Sequence, residues 1–192
     1  MPNTSTTGGV LLPTIINDND LLLDRKIHDL LYTITSIDKK LVFPMWQEVP
    51  PAIPPINTDW ISFGILNRKD DFTGNDNIIS DMVTKVISYQ DITLLCSIYG
   101  SNASRTYQKI KYGLNVSQNR EYIRSIGLAY KNIDETITTS TELNKQFYKR
   151  LDCKIYFTYK MITTYEVGNL LQADGQFNVD GYVEPYTSNF NI

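Results

Sequence analysis

The sequence predicts an α/β (α+β) fold: a mixed, mostly antiparallel sheet flanked by two main helices, with extended N- and C-terminal arms. Three observations predict it. Leu151, Cys153, Ile155, Phe157, Tyr159, Met161 and Tyr165 alternate with Asp152, Lys154, Thr158, Lys160, Thr164 and Glu166. That is period two over about sixteen positions, the signature of a half-buried strand. Leu23, Ile27, Leu30, Leu31, Ile34 and Ile37 recur at three- and four-residue spacing and make one helical stripe. Ala103, Tyr107, Ile110 and Leu114 make another.

Residues 1–18 read as a flexible arm, rich in Thr, Asn and Gly, with one apolar patch at Val10-Leu11-Leu12. Helix 20–37 follows, its start supplied with caps and negative charge by Asn17, Asp18, Asn19 and Asp20. Residues 44–58 form a belt. Pro44, Pro50, Pro51, Pro54 and Pro55 fix φ and remove donors, so the segment is extended and polyproline-like, and its Trp46 calls for burial. Residues 60–66 are β-branched and aromatic, hence a first strand, with Gly64 a bulge or close-approach point. Asp70 to Asn77 read as a polar loop containing Gly74. Residues 82–99 read as one long strand or two, with Ile92, Leu94, Cys96 and Ile98 on one face.

Gly100 ends that strand, and Ser101 or Asn102 caps a helix over 102–126. Its register slips after Leu114, which predicts a kink near Gly113 or a second short helix. Gly127 suits a C-terminal cap, and 128–133 a short strand. Residues 134–142 read as a Thr-rich connection, with one helical turn over 142–147. The final alternating run would reach roughly 50 Å if unbroken, longer than most strands. It either bends or projects to a neighbour. The predicted organisation is therefore an arm at 1–18, one domain at 19–173, and a polar docking extension at 174–192.

Composition narrows the function. The chain has 192 residues, net charge −3 and a pI near 5.1, whereas general nucleic-acid binders are basic. One His and two Cys leave little for a zinc site, so no cofactor is expected. Cys96 and Cys153 sit in strand-like runs and read as buried thiols, although the sequence does not exclude a disulfide. No segment is long and apolar enough for a membrane helix, and the first residues lack a signal-peptide pattern. Neither phosphate-cradling glycine motif is present. His28 lies beside Asp29 off the apolar stripe and reads as an exposed helical residue. Asp70, Asp71, Asp76 and Asp81 are the best metal candidates, without the spacing of a calcium loop. Arg120, Arg124, Lys131, Lys145, Lys149 and Arg150 interleave with Glu121, Asp134 and Glu135, as on a mixed solvated face. The 13 tyrosines, against seven Phe, suit half-wet surfaces.

The run Leu41-Val42-Phe43-Pro44-Met45-Trp46-Gln47, then Pro50-Pro51, Pro54-Pro55 and Asp59-Trp60 leading to Phe63-Gly64-Ile65, resembles the Pro/Trp signature of the phage neck terminator protein family. The likeness continues through Leu95 to Ala103, Gly113-Leu114, Gln118 to Glu121, Gly127, Glu142 to Asn144, Arg150 to Asp152 and Tyr165 to Val167, ending near Leu171. It covers roughly residues 30–173 in order. Family members tend to carry more Arg in the last long strand, where this chain has Tyr156, Thr158, Tyr159 and Lys160.

The resemblance implies assembly rather than catalysis. Copies would form a hexameric ring in the virion neck. The ring would meet portal or adaptor proteins on the head side and tail tube or sheath proteins on the other. Genomic DNA would pass through its lumen without sequence-specific binding. Trp46, Pro50, Pro51, Pro54, Pro55, Trp60, Tyr156 and Tyr159 are the candidate subunit or partner contacts. Two rival readings remain at this point: a metal-dependent hydrolase using Asp70, Asp71 and Asp76, and a non-viral module that binds a Pro-rich or strand-like partner.

Overall fold

The computed structural model describes residues 10, 12–16, 20–49, 51–80, 83–143, 145–166, 172–179 and 182–189. The architecture is α+β. In chain order the elements are β1 (Ile15–Ile16), α1 (Asp20–Thr35), a single 3-10 turn (Lys39–Leu41), β2 (Val42–Pro44), β3 (Trp60–Ser80) and β4 (Val83–Tyr99). There follow α2 (Ala103–Gly113), α3 (Ser117–Ser125), β5 (Leu128–Ile133), β6 (Ile137–Leu143), β7 (Gln146–Glu166), β8 (Gln172–Val179) and β9 (Tyr182–Asn189).

Seven strands form one mixed sheet. Its spine runs β1-β7-β4-β3-β2, with β5 and β6 also paired to β7. Only two residues separate β3 from β4, which permits an antiparallel hairpin and excludes a parallel crossover. Between β4 and β7, Asp91 faces Thr158, Ser97 faces Asp152 and the Gly100 amide meets the Lys149 carbonyl, so index falls on one strand as it rises on the other. These two strands are therefore antiparallel. β2 alone is parallel to its neighbour, Val42 opposing Ile61 and Pro44 opposing Phe63. β8 and β9 form a separate two-stranded sheet, Gln172 opposite Asn189 and Val179 opposite Tyr182.

The chain divides into two compact units. The larger comprises residues 17–75 and 87–162, the smaller residues 1–16, 76–86 and 163–192. The core of the larger unit follows from alternation. Ile61 and Phe63 of β3, Ile92, Leu94, Cys96 and Ile98 of β4, and the odd residues Leu151 to Tyr159 of β7 are all buried. Leu23, Ile27, Leu30 and Leu31 of α1, Ala103, Ile110 and Leu114 of α2, and Ile123 of α3 complete the same cluster. Burying such a side chain contributes about 1.5–3 kcal/mol, so three helical stripes suffice to hold the helices on the sheet. The Thr35 hydroxyl donates to the Leu31 carbonyl at 2.7 Å and Ser36 turns to φ 60°, which ends α1. Lys109 of α2 donates to the Thr35 carbonyl at 2.7 Å and ties the two helices together.

Several expectations hold. The slip after Leu114 is a true break, with α3 as the second short helix. The alternating strand exists and is longer than expected, 21 residues. Others are corrected. Residues 70–77 are not a loop: β3 runs on to Ser80. Its polar residues continue the ladder because backbone pairing to β4 needs no apolar side chain. The Thr-rich 137–143 segment is β6, in register with β7 from Ile137 opposite Asp152 to Leu143 opposite Gln146. Among the described residues of 142–147 there is no helical turn. Lys145, at φ 59°, lies between the two strands instead.

Candidate assembly surface

On the core side of the sheet the odd residues of β3 are apolar. On the other side, Trp60, Ser62 and Gly64 alternate with them. Trp60 is 5% exposed and lies between two rings. Tyr99 of β4 stacks on it at 3.6 Å between centroids and 3° between planes, and Phe43 of β2 stacks at 5.1 Å and 21°. Tyr148 of β7 and Leu41 pack against this second cluster. Burial, ahead of the Asp152 charge, raises the Tyr99 hydroxyl pKa, and Arg150 offsets only part of this, so the phenol stays neutral. Nearby, the Ser97 hydroxyl donates to Asp152 at 2.6 Å, and Arg150 holds the same carboxylate with Nε at 3.0 Å and Nη2 at 2.7 Å.

The Pro belt is laid over this slab. Pro54 is buried, and its carbonyl accepts the Tyr148 hydroxyl at 3.1 Å. The belt therefore folds onto its own subunit at Pro54. The Thr58 amide closes a turn on the Pro55 carbonyl at 2.9 Å. Asp59 then receives the Asn102 amide at 3.0 Å and its side-chain nitrogen at 2.8 Å, fixing the exit of the belt to the start of α2. Gly100, at φ 109°, lies so close to Asp59 that any side chain would meet the Asp59 backbone at 2.9 Å.

The outer part of the belt behaves differently. Trp46, which calls for burial against its own domain or a neighbour, is 70% exposed in the subunit, at φ 56°. Its indole lies over Gly64, where a Cβ would sit 2.5 Å from the ring. Gly64 is thus a close-approach point, as its place in the strand predicted. Val49 and Ile53 are also exposed on the belt. An indole laid on a strand, with further exposed aliphatics on the same belt, leaves apolar surface uncovered within the described residues.

The eight candidate contacts fall into distinct places. Trp46, Pro51 and Pro55 are exposed. Trp60 and Pro54 are packed inside the subunit, and Tyr159 is buried in the core with Lys26 over its ring at 5.4 Å. Tyr156 is half-buried, its hydroxyl donating to Asp134 at 2.7 Å. Pro50 lies outside the described residues.

Other sequence candidates resolve into ordinary partners. His28 contacts Asp29 at 3.2 Å and the Lys39 carbonyl at 3.1 Å. Asp70 is exposed and accepts Gln90 Nε2, while the side chains of Asp71, Asp76 and Asp81 lie outside the described residues. Among the described residues no group of His, Cys, Asp or Glu could hold a metal. Cys96 and Cys153 are free and buried; the Cys153 thiol donates to the Cys96 carbonyl at 3.7 Å, and its proximity, with burial, raises the Cys96 thiol pKa. Of the basic group, Lys131 bonds Asp91 at 2.6 Å, and Arg120 lies over the Tyr130 ring at 5.6 Å and bonds Asn115 at 2.8 Å. No described helix is long and apolar enough to cross a membrane.

A family profile described as phage neck terminator protein matches residues 23–181. The chain belongs to the phage neck terminator protein family. The match spans most of α1, the belt, α2, α3 and strands β2 to β8, beyond the stretch over which the sequence resemblance runs. A comparison with curated proteins gives no match. Membership implies a structural role in the neck of a bacteriophage virion, and contact with other neck or tail proteins.

Proposed function

We propose that the chain forms a hexameric ring that joins or terminates the tail tube at the portal or adaptor complex and leaves a channel for DNA. The observation that carries this is the outer belt: Trp46, Val49 and Ile53 exposed on a segment anchored to the subunit by Pro54 and Asp59. In the ring, Trp46, Pro51 and Pro55 contact a neighbouring subunit or the tail tube. Trp60 and Pro54 hold that surface from within the subunit. The domain of 19–173 supplies the ring body, and the ends on either side supply docking segments. A net charge of −3 favours passage of DNA without retention, since phosphate contacts by Lys and Arg drive nonspecific binding.

The test is light scattering with negative-stain microscopy, alone and with tail tube added. The expected result is a ring with a mass that is a multiple of 22.0 kDa. A monomer at every concentration, with and without tube, would overturn the reading.

A further inference from the structure

The two edges of the main sheet are finished differently. Along β7, β6 pairs with 146–152, β5 with 155–159 and β1 with 163–164. On the outer side of β3, β2 covers only 61–63, and the Met45 amide bonding the Phe63 carbonyl is its last contact. Beyond Phe63 no strand among the described residues borders that edge. A groove of 330 Å³ opens where β2 departs, lined by Asp24 of α1, by Pro44, Met45 and Trp46, and by residues 64–68. An open edge of this kind is a template for a further strand.

We propose that this edge, from residue 64 to 70, receives the N-terminal strand of a second copy, residues 10–16, beneath Trp46. The proposal rests on the ring reading and names one contact by which the ring closes. The run Val10-Leu11-Leu12-Pro13-Thr14-Ile15-Ile16 is apolar and β-branched. Among the described residues of its own subunit it is held by the Ile15 and Ile16 pairs with β7 and by the Thr14 amide on the Thr164 carbonyl. That leaves Val10 78%, Leu12 57%, and Ile15 and Ile16 each 54% exposed. Seven extended residues span roughly 23 Å, the same length as seven positions of the open edge. Leu66, 46% exposed, offers an apolar side chain there. Pro13 is tolerated because the added strand is itself outermost and its missing donor faces out. An arm-to-edge contact is also heterologous, so it propagates around a ring, whereas pairing two β3 edges would stop at a dimer.

The experiment mixes two full-length variants, Ile15→Cys in one and Leu66→Cys, Asn67→Cys or Lys69→Cys in the other, under mild oxidation, with scattering on the same samples. Separating the cysteines makes every Ile15–edge disulfide intermolecular. The inference expects a shift from the 22.0 kDa band to a covalent dimer for at least one pair, with none in wild-type protein, whose cysteines are buried. Oligomers without cross-linking at any of the three positions would overturn the arm-to-edge contact and leave the ring reading standing. Monomers throughout would overturn both.

Discussion

The two tryptophans of this chain sit fourteen positions apart, on the same side of one strand, and have opposite surroundings. Trp60 is enclosed by Phe43, Tyr99 and Tyr148, and covers the sheet so that the Pro belt can be anchored above it. Trp46 lies with its indole on Gly64 and is otherwise mostly exposed. Both are large apolar side chains, so hydrophobicity alone does not separate them. What separates them is what packs on the far side: in one case the chain itself, in the other nothing within the described residues of the subunit. The belt thus has one part fixed to its own subunit at Pro54 and Asp59 and another, around Trp46, that is exposed.

The largest expected effect breaks the fixed part. Trp60→Ala removes the middle ring of a stack and should cost about 3–5 kcal/mol in chemical denaturation. Trp60→Phe keeps the stacking and removes a buried indole N–H that has no partner among the described residues, so its loss should be about 1 kcal/mol or less. Equal losses in the two variants would show that the stack is not what holds this face.

Next comes the belt's exit. Gly100→Ala forces a side chain into φ 109° and against Asp59, displacing the carboxylate that caps the Asn102 amide. A loss of about 1–3 kcal/mol is expected, with little change in assembly once corrected for folding. A neutral result would mean that Asp59 does not fix the belt to α2.

The smallest effect lies on the exposed rim. The hydrogen bond from Lys131, against a smaller cost of burial and with help from Thr158, holds the Asp91 pKa below its ordinary value. A depressed folded pKa stabilises above the unfolded value and is lost as pH falls through the folded one. Asp91→Asn should therefore lower stability near neutrality by about 0.5 kcal/mol or less and leave it unchanged at acid pH, read from denaturation midpoints along a pH series.

Much of this was legible beforehand, for reasons visible in particular residues. The β7 alternation and the α1 stripe are periodic because each element buries one face, and periodicity survives in a sequence. Gly113-Leu114 marked the helix break through a slip in the same period. Strand β3 beyond Leu66 was not legible: Asp70, Asp71 and Gly74 carry the composition of a loop, and only pairing to β4 makes them strand. Thr-rich β6 failed for the same reason. The β8–β9 hairpin did leave a signal, Asp180-Gly181 set between its strands, the pair favoured in two-residue hairpins. The family likeness was legible in the Pro/Trp run, but burial of Trp60 and exposure of Trp46 were not, because both depend on which partner ring arrives from a distant strand.

The most direct measurement takes Trp46→Ala and records its melting curve and its oligomer fraction in one preparation. The account predicts a melting temperature within a few degrees of wild type, because a surface truncation costs about 0.5 kcal/mol, together with a clear fall in the oligomer fraction. Parallel losses in melting temperature and assembly would contradict it, placing Trp46 with Trp60 among the residues that hold the subunit itself.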